Sequence, residues 1–263
     1  MLDETQRRIG SEFKTCRRGV TTKEVLIIVV LAGLVVALLL PAVQRSTGGG
    51  FRPRCQNNLK QIGLSLHNYH EEYGSIPPAY VIDQDGRPLY SWRVLILPFV
   101  DQAPLYNKLH LDEPWDSPHN RPLLDVDMPV FRCPTDKRAT DESGTEFSKG
   151  MTNYFAVVGP ETMWPAPNVC RFEDVTDGLS NTILVVEVAN SGIHWAEPRD
   201  LHVTQMAREV NPSAGMGLSS RHTGGTHVIF GDGRVQFISD DTPPEQLRAM
   251  LTRAGGEVID DDD

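Results

Sequence analysis

Apolar residues fill one stretch of this chain without interruption and afterwards recur only at intervals. Val25 to Val43 is built of Val, Leu, Ile, Ala, Gly and one Pro, 19 residues with no polar position. As a helix it would be roughly 28 Å long, close to the ~30 Å hydrocarbon core of a bilayer. A helix packed in a water-soluble core keeps a polar face, and this one has none. The pattern predicts a transmembrane helix over residues 20–45.

The period then changes. Leu59, Ile62, Leu66, Tyr69 and Tyr73 alternate steps of three and four, which predicts an amphipathic helix that Gly74 and Pro77-Pro78 end. Between the two helices, Ser46-Thr47-Gly48-Gly49-Gly50-Phe51-Arg52-Pro53 opposes helix, so a hinge is expected over 46–54. Ser91 is placed to cap a short helix that Pro98 interrupts, with another turn around Ala103 to Leu109. Asp112 to Gly150 is rich in Pro, Asp, Ser and Gly and reads as loop. Asn153 to Val158 and Thr182 to Val188 are β-branched and apolar, as buried strands are. His227–Phe230 and Val235–Ile238 flank Gly231-Asp232-Gly233-Arg234, a hairpin signal, with Val228, Phe230, Val235 and Phe237 expected on one buried face. Pro243-Pro244 opens a last helix running to about Arg253. Helices and antiparallel strands in separate blocks predict an α+β domain over 55–263.

Charge orients this arrangement. The leader, residues 1–19, carries Arg7, Arg8, Lys14, Arg17 and Arg18 against Asp3, Glu4 and Glu12. A basic flank keeps the N-terminus in the cytoplasm and sends the chain after Val43 across the membrane. The expected location is the cytoplasmic (inner) membrane, single-pass, with the C-terminal domain extracytoplasmic. A formal net charge of −10 excludes nucleic acid as the main partner. Of the four cysteines, Cys16 lies in the leader. Cys55, Cys133 and Cys170 allow one bridge, whose pairing the spacing leaves open.

At the membrane boundary the chain reads Arg17-Arg18-Gly19-Val20-Thr21-Thr22-Lys23-Glu24 and then the apolar run. This resembles the type IV prepilin signal. The resemblance implies cleavage between Gly19 and Val20 by a prepilin peptidase, a transient partner, followed by methylation of the Val20 amine. Glu24 then becomes the fifth residue of the mature chain, where pilins use a glutamate to pair with a neighbouring subunit's amine. A carboxylate there is costly, roughly 2.5–3.5 kcal/mol for an acid at the centre of a spanning helix, so a pairing role gives it a reason. The resemblance extends through Leu38–Gln44, Cys55-Gln56-Asn57-Asn58-Leu59-Lys60-Gln61-Ile62-Gly63-Leu64, Ser91-Trp92-Arg93-Val94, Cys133-Pro134 and Ser180-Asn181-Thr182-Ile183-Leu184. It ends with His222, followed after nine residues by Asp232-Gly233. These segments are similar to a planctomycete family of prepilin-like proteins whose C-terminal part is a domain of unknown function. A pilin-like fold is implied, with a long N-terminal helix packed on an antiparallel sheet and loop-rich insertions. The implied partners are other pilin-like subunits and the lipid bilayer.

Candidate chemistry is sparse. His67, His70 and Glu71 share a helix face, but no His-Glu-x-x-His pattern or remote ligand joins them. Gly231-x-Gly233 lacks the strand–turn–helix context of a phosphate loop. Ser219, Ser220 and His222 are adjacent in sequence only, which does not build a triad. Asp174, Asp177 and Asn181 lack the register of a calcium loop. The expectation is therefore no enzyme activity, no cofactor and no metal, with His222, Asp232 and Gly233 forming a structural motif. Two functions remain: an assembly subunit of a filament or secretion-type apparatus, or a ligand-binding domain displayed on the cell surface by an N-terminal anchor.

Overall fold

The computed structural model describes residues 22–23, 25–27, 29, 31, 51–136, 150–213 and 215–257. The chain divides into two units, 1–49 and 50–263. In the first unit the described residues are helical. Most of the span expected over 20–45 lies outside the described residues, as do Gly19, Val20 and Glu24. Among the described residues no helix is long and apolar enough to cross a membrane.

The second unit opens on helix α1, Phe51–Tyr73. Residues 51–54, expected in the hinge, are its first turn. Pro53 sits where a helix's backbone N–H groups have no partner within the helix, so the proline costs nothing there. Cys55, Leu59, Ile62 and Leu66 form the buried stripe, while Tyr73 is 58% exposed and only leans on Tyr69, ring centroids 4.4 Å apart. Gly74, at φ +75°, closes the helix with its N–H on the His70 carbonyl.

α1 lies against a four-stranded antiparallel sheet. Its strands are β3 (Tyr154–Phe155), β5 (Ile183–Glu187), β7 (Gly225–Phe230) and β8 (Val235–Ser239), in the order β3-β5-β7-β8. Gly63 makes the approach possible: a Cβ there would stand 3.3 Å from Ile229 and 3.7 Å from the Gly233 backbone. β1 (Tyr80–Ile82) and β2 (Pro88–Ser91) form a separate hairpin, and β4 (Val157–Val158) pairs in parallel with β6 (Leu201–His202). Between β3 and β4 the chain changes sheets because the Ala156 N–H donates to Asp200 instead of a strand neighbour. Short helices α2 (Trp92–Leu95, capped by Ser91), α3 (Ala103–Tyr106) and α4 (Asn120–Leu124) follow the β1–β2 hairpin, and α5 (Pro244–Leu251) follows β8. The unit is α+β, as expected.

The sheet is covered on both faces. Leu184, Val185, Ile229 and Tyr154 pack with α1 and the three buried tryptophans Trp92, Trp164 and Trp195. Ile183, Val186, Val228, Phe230 and Ile238 pack with Leu247, Met250 and Leu251 of α5. A bulge in β5 between Ile183 and Val185 puts both Leu184 and Val185 on the α1 side. β7 is buried along its whole length, so the expected single buried face of the hairpin is corrected. The register pairs Ile229 with Val235 and Val228 with Gln236. Val235 and Phe237 therefore share a face with Ile229 and His227, opposite to Val228 and Phe230. A three-residue loop, Gly231–Gly233, keeps odd positions facing odd ones.

Candidate functional site

Cys55 in the first turns of α1 bonds to Cys133, 78 residues later, just after a 3-10 turn at Pro129–Phe131. This fixes the pairing that the sequence leaves open; Cys170 is buried and free. Closing such a loop is worth about 4 kcal/mol in the chain-entropy account. Polar groups hold the bridge in place. The Cys133 N–H donates to Asn153 Oδ1 at 2.9 Å, and Asn153 Nδ2 donates to Asp136 and to the Val188 carbonyl. Asp136 also accepts from the Asn190 N–H and from Arg221.

Directly behind the bridge lies a carboxylate with two imidazoles. Glu187 ends β5, the only charged residue of Ile-Leu-Val-Val-Glu, and the strand pairing that aligns Val186 with Val228 brings it beside His227 of β7. Glu187 Oε2 is 3.7 Å from His227 Nδ1, and Glu187 Oε1 is 3.6 Å from His222 Nε2. His222 Nε2 is also 3.6 Å from Cys133 Sγ. His222 is positioned by its own N–H, which donates to Ser220 Oγ. Gln56 of α1 reaches His227 Nε2 at 3.2 Å. With the Gln56 amide donating, Nε2 accepts and the His227 proton sits on Nδ1, facing Glu187.

All three side chains are buried: Glu187 1%, His222 8% and His227 0% exposed. Burial pushes the Glu187 carboxyl up to about 7, against the pull of His222. Burial lowers His227 to about 4, aided by repulsion from Arg52, and lowers His222 against the attraction of Glu187. The cluster therefore favours neutral groups.

The residues singled out from the sequence are dispersed. His222 and Asp232-Gly233 stand at opposite ends of β7, roughly 17–20 Å of extended chain apart. Asp232 Oδ1 accepts from the Arg234 N–H, and Gly233 has φ +84°. His67 bonds the Gly231 carbonyl at 2.9 Å, tying α1 to that turn. His70 accepts from the Phe172 N–H and stacks on its ring. Asp177 accepts from the Gly255 and Gly256 N–H groups, and Asp174 from that of Arg171. Glu187 and His227 were not singled out from the sequence, although a lone acid ending an apolar strand is a legible signal. They supply the converging groups that the sequence around His222 does not show.

Beside His222 an open cleft of about 560 Å³ is bordered by Asn190, Asn211, Ser219, Ser220 and Arg221. A family model described as a protein of unknown function (DUF1559) matches residues 52–209 and 189–245. No curated protein and no solved structure matches the chain.

Proposed function

Since the chain belongs to the family of proteins of unknown function (DUF1559), whose description carries no activity, we propose from its own residues that it is a membrane-anchored, prepilin-like subunit. Its role is structural: assembly into a cell-envelope filament or a secretion-type apparatus. One observation carries this reading. A leader ending at Gly19, then Val20, Glu24 and the apolar run to Val43, are followed within eight residues by α1, which lies on an antiparallel sheet. The buried polar cluster supports it too, since a bridge backed by Glu187, His222 and His227 braces α1 against the sheet. In this reading the N-terminus is cytoplasmic and the domain extracytoplasmic, with prepilin peptidase, other pilin-like subunits and the bilayer as partners.

The cleft beside Arg221 supports a second reading, a ligand-binding domain merely displayed by the anchor. Two measurements on native cells separate them. The assembly reading expects a mature chain whose intact mass begins at methylated Val20, recovered in sheared filaments or in crosslinked oligomers. Full-length, monomeric protein confined to membranes of cells with an active prepilin peptidase would reject it in favour of display.

A further inference from the structure

The bridge and the cluster behind it place four metal-ligating side chains together. One ligand atom each from Cys55, Cys133, Glu187 and His222 lies within 4.8 Å of all the others, and all four residues are buried. A tetrahedral zinc centre has Zn–S near 2.3 Å and Zn–N or Zn–O near 2.0 Å, which sets neighbouring ligand atoms about 3.3–3.8 Å apart. Reaching that geometry requires the two bonded sulfurs to part and the widest of the present spacings, up to 4.8 Å, to close by about 1 Å. The donors come from α1, the loop after the 3-10 turn, β5 and the segment before β7, four parts of the chain that the fold already holds in register.

We propose that, once the bridge is reduced, Cys55, Cys133, Glu187 and His222 form a closed Zn²⁺ site. A dithiol reductant delivers two electrons and two protons to the S–S bond, yielding two thiols and leaving as its own disulfide. Zn²⁺ then displaces the two thiol protons and the carboxyl proton of Glu187, which pass to water, and binds both sulfurs, Glu187 Oε1 and His222 Nε2. Two thiolates and an imidazole select zinc over calcium or magnesium, which prefer oxygen ligands. Four protein ligands leave no open position, so the site is structural rather than catalytic.

A second observation points the same way. Glu187 Oε2 and His227 Nδ1 are buried and find no hydrogen-bond partner among the described residues in the bridged state, 3.7 Å apart. With Glu187 Oε1 on the metal, the Nδ1 proton of His227 is aimed at the free oxygen, the usual way an outer group orients a metal-bound carboxylate. His227 is thus a positioning residue, and Gln56 fixes its tautomer. This inference is independent of filament assembly: it holds for an anchored subunit or a displayed domain alike.

The test uses the full-length chain in detergent, with C16S and C170S so that all thiols counted are Cys55 and Cys133. Protein reduced with dithiothreitol and desalted without oxygen is titrated with Zn²⁺ against a chromophoric chelator. The expected result is one Zn²⁺ per reduced chain, both thiols protected from alkylation, and a tetrahedral thiolate spectrum with Co²⁺. The bridged chain should bind none. H227Q should weaken binding by roughly 10–100-fold, and E187Q and H222Q by at least as much, with near-ultraviolet circular dichroism reporting the fold of each variant. The proposal fails if the reduced chain retains no zinc, or if E187Q and H222Q bind as the parent does. It fails equally if reduction unfolds the chain and zinc does not restore the dichroism signal.

Discussion

Arg93 and Asp200 meet at 2.6 Å inside the larger core, with side chains 0% and 2% exposed. Arg93 also donates to Ser91 Oγ and to the Tyr154 carbonyl, and its guanidinium lies over the rings of Trp92 and Phe155. Asp200 Oδ1 accepts from the Ala156 N–H and from Trp92 as well. The pair therefore joins α2, the β3–β4 crossing and the approach to β6. Burial alone works against both charges, lowering the Arg93 pKa and raising that of Asp200, and each ion holds the other charged.

D200N leaves the guanidinium buried without its counter-ion, and the expected cost is about 3–5 kcal/mol of stability. R93M should also destabilise, whereas R93M with D200N should lose less than the two single changes added together, because no charge is then stranded. Denaturant unfolding of the three variants and the parent in detergent measures this. Additive losses would show that the two residues act separately.

Glu24 carries the assembly reading, since a carboxylate beside an apolar run is costly unless something pairs with it. E24A should therefore leave membrane residence unchanged and reduce subunit association. Crosslinking in native membranes reads both at once. An oligomer ladder equal to the parent's would favour display instead.

Much of the second unit was legible because it rests on short-range patterns. The three-and-four spacing from Leu59 marked α1, Ser91 marked its cap on α2, and the Gly-Asp-Gly signal marked the β7–β8 turn. The start of α1 was not legible, because three glycines and Pro53 oppose helix in the interior, while a proline in the first turn is harmless. The face of Val228 was misjudged since loop length decides which residues face each other, and Gly231–Gly233 reads equally well as a two- or a three-residue turn. Glu187, His227 and Asp200 were missed for a further reason. Each acquires its role from partners 35 to more than 100 residues away, Glu187 from His222 and Asp200 from Arg93. Spacing within one segment says nothing about such pairs.

Gly233, at φ +84°, carries the turn that returns β7 to β8 and faces His67 across a gap that a Cβ would narrow to 3.4 Å. G233V should destabilise the protein by about 1 kcal/mol or more, since a β-branched residue resists positive φ. H67Q, which can still donate one hydrogen bond to the Gly231 carbonyl, should cost less. Thermal melts of both variants decide the order. A larger loss in H67Q would shift the weight of this junction from the turn's backbone to the α1 contact.

His194 should give the protein an acid-sensitive step. Its ring stacks between Trp115 and Trp195, and Nδ1 accepts from the Ala196 N–H at 3.2 Å, a bond that requires an unprotonated nitrogen. Burial, with Arg121 nearby, lowers its pKa from 6.5 to about 4, against the opposing pull of Asp125 and the Leu124 carbonyl. In the unfolded chain the same ring takes up a proton near 6.5. Between those values the unfolded state binds more protons than the folded one, so stability falls as pH falls from about 6.5 to 4. The contribution is at most about 3 kcal/mol. Glu187 works in the opposite direction: its folded pKa is raised to about 7, so its share of stability grows as pH falls through that value. His227, lowered to about 4, and His222, also lowered, act in the same direction as His194, so only the difference between the parent and a variant lacking His194 isolates its share. H194F keeps a ring between the tryptophans and removes the titration, so the stability difference between parent and variant should shrink steadily from pH 7 to pH 4. Unfolding midpoints in urea at half-unit pH steps measure it, and a difference that stays constant across that range would place the acid sensitivity on other groups.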